Sequence, residues 1–281
     1  MSDIHIAVRT QNILGESPIW SYSRQSLLWV DTYQGILSVF HPNTATYSTY
    51  NLPKPLSFVV ENNKSELIVG IGSQIAKLDT QYHWHLIATA PLLDAEYRFN
   101  DAKMDAQGRL WCGFINEQLK ENSGYLYCLD QTKNWSIADD GFTLINGLAW
   151  SHDNQTLFVT DSIKRIIYAY DFYLSTGNIA NKRIFAEFGE LDGKPDGLII
   201  DNQGYLLSVM FDGSAIIRLS PDGKTLKRYP LSVKRPTSCC LVNNDTDLYI
   251  TTACLGLTAP EQVTSPQSGC LLKVSYQQFL S

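Results

Sequence analysis

A polar turn followed by a short apolar strand recurs six times along the chain: Ser26-Leu-Leu-Trp-Val30, Glu66-Leu-Ile-Val69, Arg109-Leu-Trp-Cys112, Thr156-Leu-Phe-Val159, Tyr205-Leu-Leu-Ser208 and Asp247-Leu-Tyr-Ile250. With Leu28, Ile68, Trp111, Phe158, Leu207 and Tyr249 as markers, the spacings are 40, 43, 47, 49 and 42 residues. A second β-prone series keeps step with the first, from Gly35-Ile-Leu-Ser-Val-Phe40 to Gly269-Cys-Leu-Leu-Lys-Val274, and a third precedes it, from Ser17-Pro-Ile-Trp20 to Ser238-Cys-Cys-Leu241. Further stretches such as Tyr47-Ser-Thr-Tyr50 and Arg183-Ile-Phe-Ala186 supply a fourth strand. Six copies of a four-stranded unit with no sustained helical period predict an all-β fold, a six-bladed β-propeller. A β-sandwich, the plain alternative, does not produce six matched copies. The last copy runs out about seven residues after Val274, so Ile4-His-Ile-Ala-Val8 is expected to complete it and close the ring. Units of this length account for residues 1–281 as one propeller domain.

Composition agrees with a folded chain of this kind and removes other classes. Hydrophobic residues make up 44% and charged residues 18%, enough apolar surface for a full core. The net charge of −6, with no basic patch interleaved with aromatics, argues against a nucleic-acid partner. No run approaches the roughly 18 apolar residues of a membrane span, and the first residues lack a basic leader and an apolar stretch. The chain therefore reads as cytoplasmic, with no membrane partner and its six cysteines as reduced thiols. The sequons at Asn63, Asn134, Asn154 and Asn244 read as turns.

In a propeller the first strand of each blade lines the central channel, so equivalent positions converge on one point. Aligning those strands by their apolar cores places Glu16, Asn146 and Asp196 at their heads, with Asn100 and Thr237 on a looser alignment. Two carboxylates and an amide form an all-oxygen set suited to a hard divalent cation: Ca²⁺ first, with Mg²⁺, Mn²⁺ or Zn²⁺ as alternatives. Other chemistry finds no footing. The chain has no Gly-x-Ser-x-Gly elbow, no His-Glu-x-x-His and no phosphate-binding glycine loop. His83-Trp-His85 reads as an outer strand, Asn243-Asn-Asp-Thr-Asp247 as a β-turn, and Trp20, Trp29, Trp111 and Trp150 as core.

Four segments, Leu14-Gly-Glu-Ser-Pro-Ile-Trp20, Arg98-Phe-Asn-Asp-Ala-Lys-Met-Asp105 with Gly108-Arg-Leu-Trp111, Asn146-Gly-Leu-Ala-Trp-Ser151 with Thr160-Asp-Ser162, and Pro195-Asp-Gly-Leu198, occur in an order that resembles the SMP-30/gluconolactonase/luciferin-regenerating-enzyme family. The resemblance implies a six-bladed propeller, a single divalent cation and lactonase activity. It implies Glu16, Asn146 and Asp196 as metal ligands and Arg98, Asn100 and Asp101 as substrate-binding residues; Asp196, a carboxylate beside the metal able to take a proton from water, is the expected general base. Two departures stand out. The family's Asn-Asp-Gly is Asn100-Asp101-Ala102 here, and its lid segment becomes Gly113-Phe-Ile-Asn-Glu117-Gln118, where either Glu117 or Gln118 takes the acidic position and Phe114 is expected to make the wall more apolar. The expected activity is metal-dependent opening of a small-molecule lactone, a sugar lactone such as gluconolactone first, in a monomer or weak homodimer. The alternatives are a non-catalytic calcium-binding propeller of the regucalcin type and hydrolysis of a non-sugar ester or lactone at the same site.

Overall fold

A computed structural model of the chain describes residues 4–242 and 245–281. It contains six antiparallel sheets of four strands each. Blades 1 to 5 each run in chain order from an inner to an outer strand, blade 1 through Gly15–Ser21, Ser26–Asp31, Ile36–His41 and Thr46–Asn51. The inner strands of blades 2 to 6 are Leu56–Glu61, Tyr97–Met104, Ile145–Trp150, Lys194–Ile200 and Pro236–Val242. Each inner strand packs on the next, and that of blade 6 packs on that of blade 1, so they form a closed ring around a channel. The expected closure is present: His5–Val8 is the outer strand of blade 6, pairing His5 with Lys273 and Ile6 with Leu272.

The second strands are buried on both faces, as in Ser26–Asp31, where every position is inaccessible. Such continuous apolar runs form because each blade is sandwiched between two others. The core accordingly divides into six clusters, one per blade interface. Leu28, Val30 and Val39 of blade 1 meet Leu56, Val59 and Val69 of blade 2, and Val8, Trp29 and Phe40 meet Tyr249 and Leu271 where blade 6 joins blade 1. Burying each such side chain contributes about 1.5–3 kcal/mol. Trp29 and Trp111 are fully buried, in agreement with the core reading.

Beyond the channel, Asp201 ties the chain's end to blade 5. It accepts from Gln203 N and Tyr205 N at 3.0 Å, from Arg218 Nη2 at 2.8 Å and from the Tyr276 hydroxyl at 2.7 Å. His83 and His85 share Asp79 on the exposed edge of blade 2, consistent with surface β structure. All six cysteines are free, and no helix among the described residues is long and apolar enough to cross a membrane. Asn154 takes a positive φ in a turn, in line with the turn reading of its sequon, whereas Asn243 and Asn244 lie outside the described residues.

Candidate active site

Every inner strand breaks register at the same height. The irregularity falls between Glu16 and Ile19, Leu56 and Phe58, Phe99 and Ala102, Ile145 and Leu148, Pro195 and Leu198, and Pro236 and Cys239. A β-bulge inserts residues that the partner strand does not match and re-aims their side chains. Asn100, Asn146 and Asp196 occupy the bulges of blades 3, 4 and 5, and Glu16 flanks that of blade 1. These four, with Arg98, Glu117, Ser162 and Lys194, line a cavity of about 220 Å³ at the channel mouth, whose walls are Leu14, Leu144, Phe211 and Leu255.

Hydrogen bonds between blades fix the floor. Asn100 Nδ2 donates to Ile145 O at 2.9 Å and to Asn146 Oδ1 at 2.5 Å. Asn146 Nδ2 donates to Ser162 Oγ at 2.7 Å, and Ser162 Oγ donates to Pro195 O at 2.5 Å. Arg98 Nη1 donates to Phe99 O at 2.8 Å and to Asn100 Oδ1 at 2.7 Å, while its Nε lies 3.0 Å from Glu117 Oε1. Glu117 thus pairs with Arg98, whereas Gln118 turns away to donate to Glu96 Oε1 at 2.8 Å.

Glu16 and Asp196 line the cavity, and Asp101, outside its lining, lies close enough for its charge to act on both. Burial pushes Glu16 from 4.5 up to about 8, with the charge of Asp101 adding to the rise. Asp101 rises from 3.8 to about 6, chiefly by burial. Asp196 is driven well above its ordinary value by burial and then by the charges of Glu16 and Asp101. Asp196 Oδ1 is buried without a hydrogen-bond partner, a condition that costs about 1–3 kcal/mol when nothing relieves it. An orphaned oxygen beside mutually repelling acids fits a divalent cation. Among the described residues no three His, Cys, Asp or Glu side chains gather closely enough to hold a metal by themselves, so Glu16 and Asp196 need the Asn146 amide oxygen to complete the set.

Phe114, Thr237 and Asp101 lie outside the cavity lining. Phe114 does not line the cavity: it packs on Tyr97, Phe99 and Tyr127 in the interface of blades 2 and 3, and strand alternation brings Ile115 to the site instead. Thr237 is fully buried, donating to Gly15 O across the junction of blades 6 and 1 and pairing with Thr251 Oγ1 at 2.9 Å. Asp101 is absent from the cavity lining, and its Oδ1 accepts from Ala102 N at 2.7 Å.

Two residues missed in the sequence anchor the segments that lead into Glu16 and Asn146. Asp31 Oδ2 accepts from Ile13 N at 2.7 Å, anchoring the segment that leads into Glu16. Asp161 Oδ2 accepts from Thr143 N at 2.9 Å and its Oδ1 from Leu144 N at 3.3 Å, anchoring the segment that leads into Asn146. Both are fully buried and both end a second strand. The matched placement in two repeats was the available signal. Asp161→Asn replaces one acceptor with an amide donor facing backbone N–H groups. It is expected to destabilise the fold by about 2 kcal/mol and to weaken cation binding, measured by urea unfolding and calorimetric titration; unchanged values in both would refute the positioning role.

Comparison with known proteins places these features in context. The family model described as SMP-30/Gluconolactonase/LRE-like region matches residues 14–254. Regucalcin from Danio rerio is 32% identical over 282 residues, covering 98% of this chain and 95% of that protein. The 6-deoxy-6-sulfogluconolactonase of Pseudomonas putida is 32% identical over 269 residues, covering 94% and 91%. A solved luciferin-regenerating enzyme superposes with a TM-score of 0.91 at 27% identity, covering 98% of this chain and 95% of its own. The match to the family runs through five of the six blades and all the bulges that build the cavity floor, and the chain belongs to the SMP-30/gluconolactonase/LRE-like family.

Proposed function

We propose that this chain is a divalent-cation-dependent lactone hydrolase, acting first on sugar lactones of the gluconolactone type. The buried, unpartnered Asp196 Oδ1 beside Glu16 and Asn146 carries the reading. Glu16, Asn146 and Asp196 would hold the cation. When bound, the cation supplies Lewis acidity, polarising the lactone carbonyl and lowering the pKa of water.

The remaining work falls to the side chains. Asn100 and Ser162 hold the Asn146 amide from both ends, so its oxygen is already oriented before anything binds. Arg98, fixed by Asn100 and Glu117, presents its remaining donor to ring hydroxyls. Asp196, its pKa raised by burial, takes a proton from the water that attacks the carbonyl carbon. As the ring C–O bond breaks, the same carboxyl passes that proton to the leaving alkoxide, giving the open hydroxy acid. The 6-deoxy-6-sulfogluconolactonase name among the relatives supports the lactone class.

A cation-binding propeller without turnover is the rival, and the regucalcin relatives keep it in view. A chain that only binds a cation has no use for an arginine locked at the cavity mouth, which favours the enzyme. On a panel of aldonolactones, a chelator is expected to lower turnover by about a hundredfold or more, with restoration by added divalent cation. Absence of hydrolysis across the panel, with cation binding intact, would transfer the site to the rival reading.

A further inference from the structure

The residues of the cavity floor stand at matching places in their inner strands, and so do the residues two positions before them. Glu16, Asn100, Asn146 and Asp196 form a lower tier; Leu14, Arg98, Leu144 and Lys194 form an upper one, and all eight line the cavity. Two residues of extended chain separate the tiers by about 6–7 Å. Blade 6 continues the upper pattern with Arg235, two positions before Thr237 and outside the lining.

Three cations therefore occur at this level, and they are met unequally. Arg98 has Glu117 to itself, with Nε 3.0 Å from Oε1. Arg235 Nε donates to Asp212 Oδ1 at 2.6 Å, and its Nη1 donates to Leu255 O. Lys194 Nζ reaches only the other oxygen of Asp212, at 3.6 Å, beyond hydrogen-bond length. One carboxylate is thus shared by two cations, and Arg235 holds it more closely. Among the described residues no other acid lies within ion-pair distance of Lys194, and 35% of its side chain is exposed. Phe211, a cavity wall, lies beside both cations, its ring centroid 5.2 Å from Arg235 Cζ and 6.0 Å from Lys194 Nζ.

An ammonium at a cavity mouth without a carboxylate of its own is a place for a substrate anion. We infer that Lys194 recognises an oxyanion, a carboxylate or a phosphate, carried by the substrate outside its lactone ring. The inference deepens the lactone-hydrolase reading and rests on it for what the site does to the bound ring. With the lactone carbonyl on the floor and ring hydroxyls toward Arg98, an exocyclic group rises to the tier that holds Lys194.

The test compares rings that differ only in that charge. D-Glucaro-1,4-lactone and D-glucono-1,4-lactone differ at carbon 6, a carboxylate in the first and a hydroxymethyl in the second; D-glucono-1,5-lactone and its 6-phosphate give the phosphate arm. Wild type is expected to favour the charged member by about tenfold in kcat/KM, and Lys194→Met to bring that ratio to about one. Lys194→Arg keeps the charge and should retain most of the preference, and salt should weaken it in wild type. The charge of Lys194 also reaches Asp196, but a change common to both members cancels in the ratio. Calorimetric titration with D-glucuronate and D-glucose, which differ at the same carbon and are not hydrolysed, reads the preference without turnover. Lys194→Gln gives the same comparisons should Lys194→Met not fold.

Hydrolysis of both members at equal kcat/KM, or a ratio that Lys194→Met leaves unchanged, overturns the oxyanion role and leaves the lactone hydrolase standing. If no lactone is turned over while glucuronate binds more tightly than glucose through Lys194, the hydrolase reading falls and the oxyanion site stands as that of a binding protein. With no turnover and no preference in binding, both fall.

Discussion

Asp196→Asn is expected to lower kcat/KM for lactone hydrolysis by about a thousandfold, equivalent to about 4 kcal/mol of transition-state stabilisation, while making the cation-free protein more stable. The opposite signs follow from one cause. Asp196 is buried with one oxygen unpartnered and with the charges of Glu16 and Asp101 acting against it, so its carboxylate is a burden on the fold and an asset to the chemistry. Asparagine keeps the shape, removes the charge and cannot accept a proton from water at neutral pH. Steady-state kinetics and urea unfolding in a chelator give the two readouts. A variant that loses stability along with activity would show that Asp196 is structural and would sink the assignment.

The same carboxylates set a pH signature for the cation-free protein. Glu16 is raised from 4.5 to about 8, so the folded state keeps a proton that the unfolded chain releases. Its stabilising contribution is complete below about pH 4.5 and is lost as pH rises through about 8. Asp101, raised to about 6, acts in the same direction over a lower window. Cation-free wild type should therefore lose stability from mildly acid to neutral pH, and Asp196→Asn should flatten that loss by removing one of the repelling charges.

The propeller was legible because each blade repeats the same three-strand rhythm, and because blades buried on both faces read as apolar runs bounded by turns. Glu16, Asn146 and Asp196 were legible for a related reason: all sit at or beside the bulge, so aligning the inner strands aligned the bulges too. What stayed hidden depends on distance or phase. Asp31 and Asp161 act on backbone groups 17 or 18 residues away, a pairing that no local pattern encodes. Phe114 and Ile115 are adjacent apolar residues, and only strand pairing decides which one faces the cavity. Arg98 and Lys194 both precede a bulge residue by two positions, and only the folded ring shows that Glu117 serves the first alone while the second shares Asp212.

Gly147→Ala is expected to cost about 3 kcal/mol or more, the upper end of what overpacking usually does. Gly147 follows Asn146 in the bulge of blade 4, with its backbone against the corresponding bulge of blade 5. An added Cβ would stand 2.5 Å from Leu198 Cβ and 2.7 Å from Asp196 O, with Leu198 N closer still. Most of those atoms are backbone, held in the ring by the next blade, so no rotamer change can make room. Gly197 repeats the arrangement one blade on, where a Cβ would meet Ser238 Cβ at 2.5 Å and Cα at 2.6 Å. The glycines after Asn146 and Asp196 thus let neighbouring inner strands approach closely enough for Asn146 and Asp196 to line one cavity. Gly141→Ala is the internal comparison: its φ is +76° but nothing lies within 4 Å of an added Cβ, so only the left-handed backbone cost of about 1–2 kcal/mol applies. Because the Gly147→Ala strain falls on the segment carrying Asp196, the variant should also lose cation affinity at temperatures where it remains folded, whereas Gly141→Ala should keep it. Equal unfolding midpoints for the two variants would show that the inner strands can separate without cost, and the account of how these blades bring Asn146 and Asp196 together would fail with it.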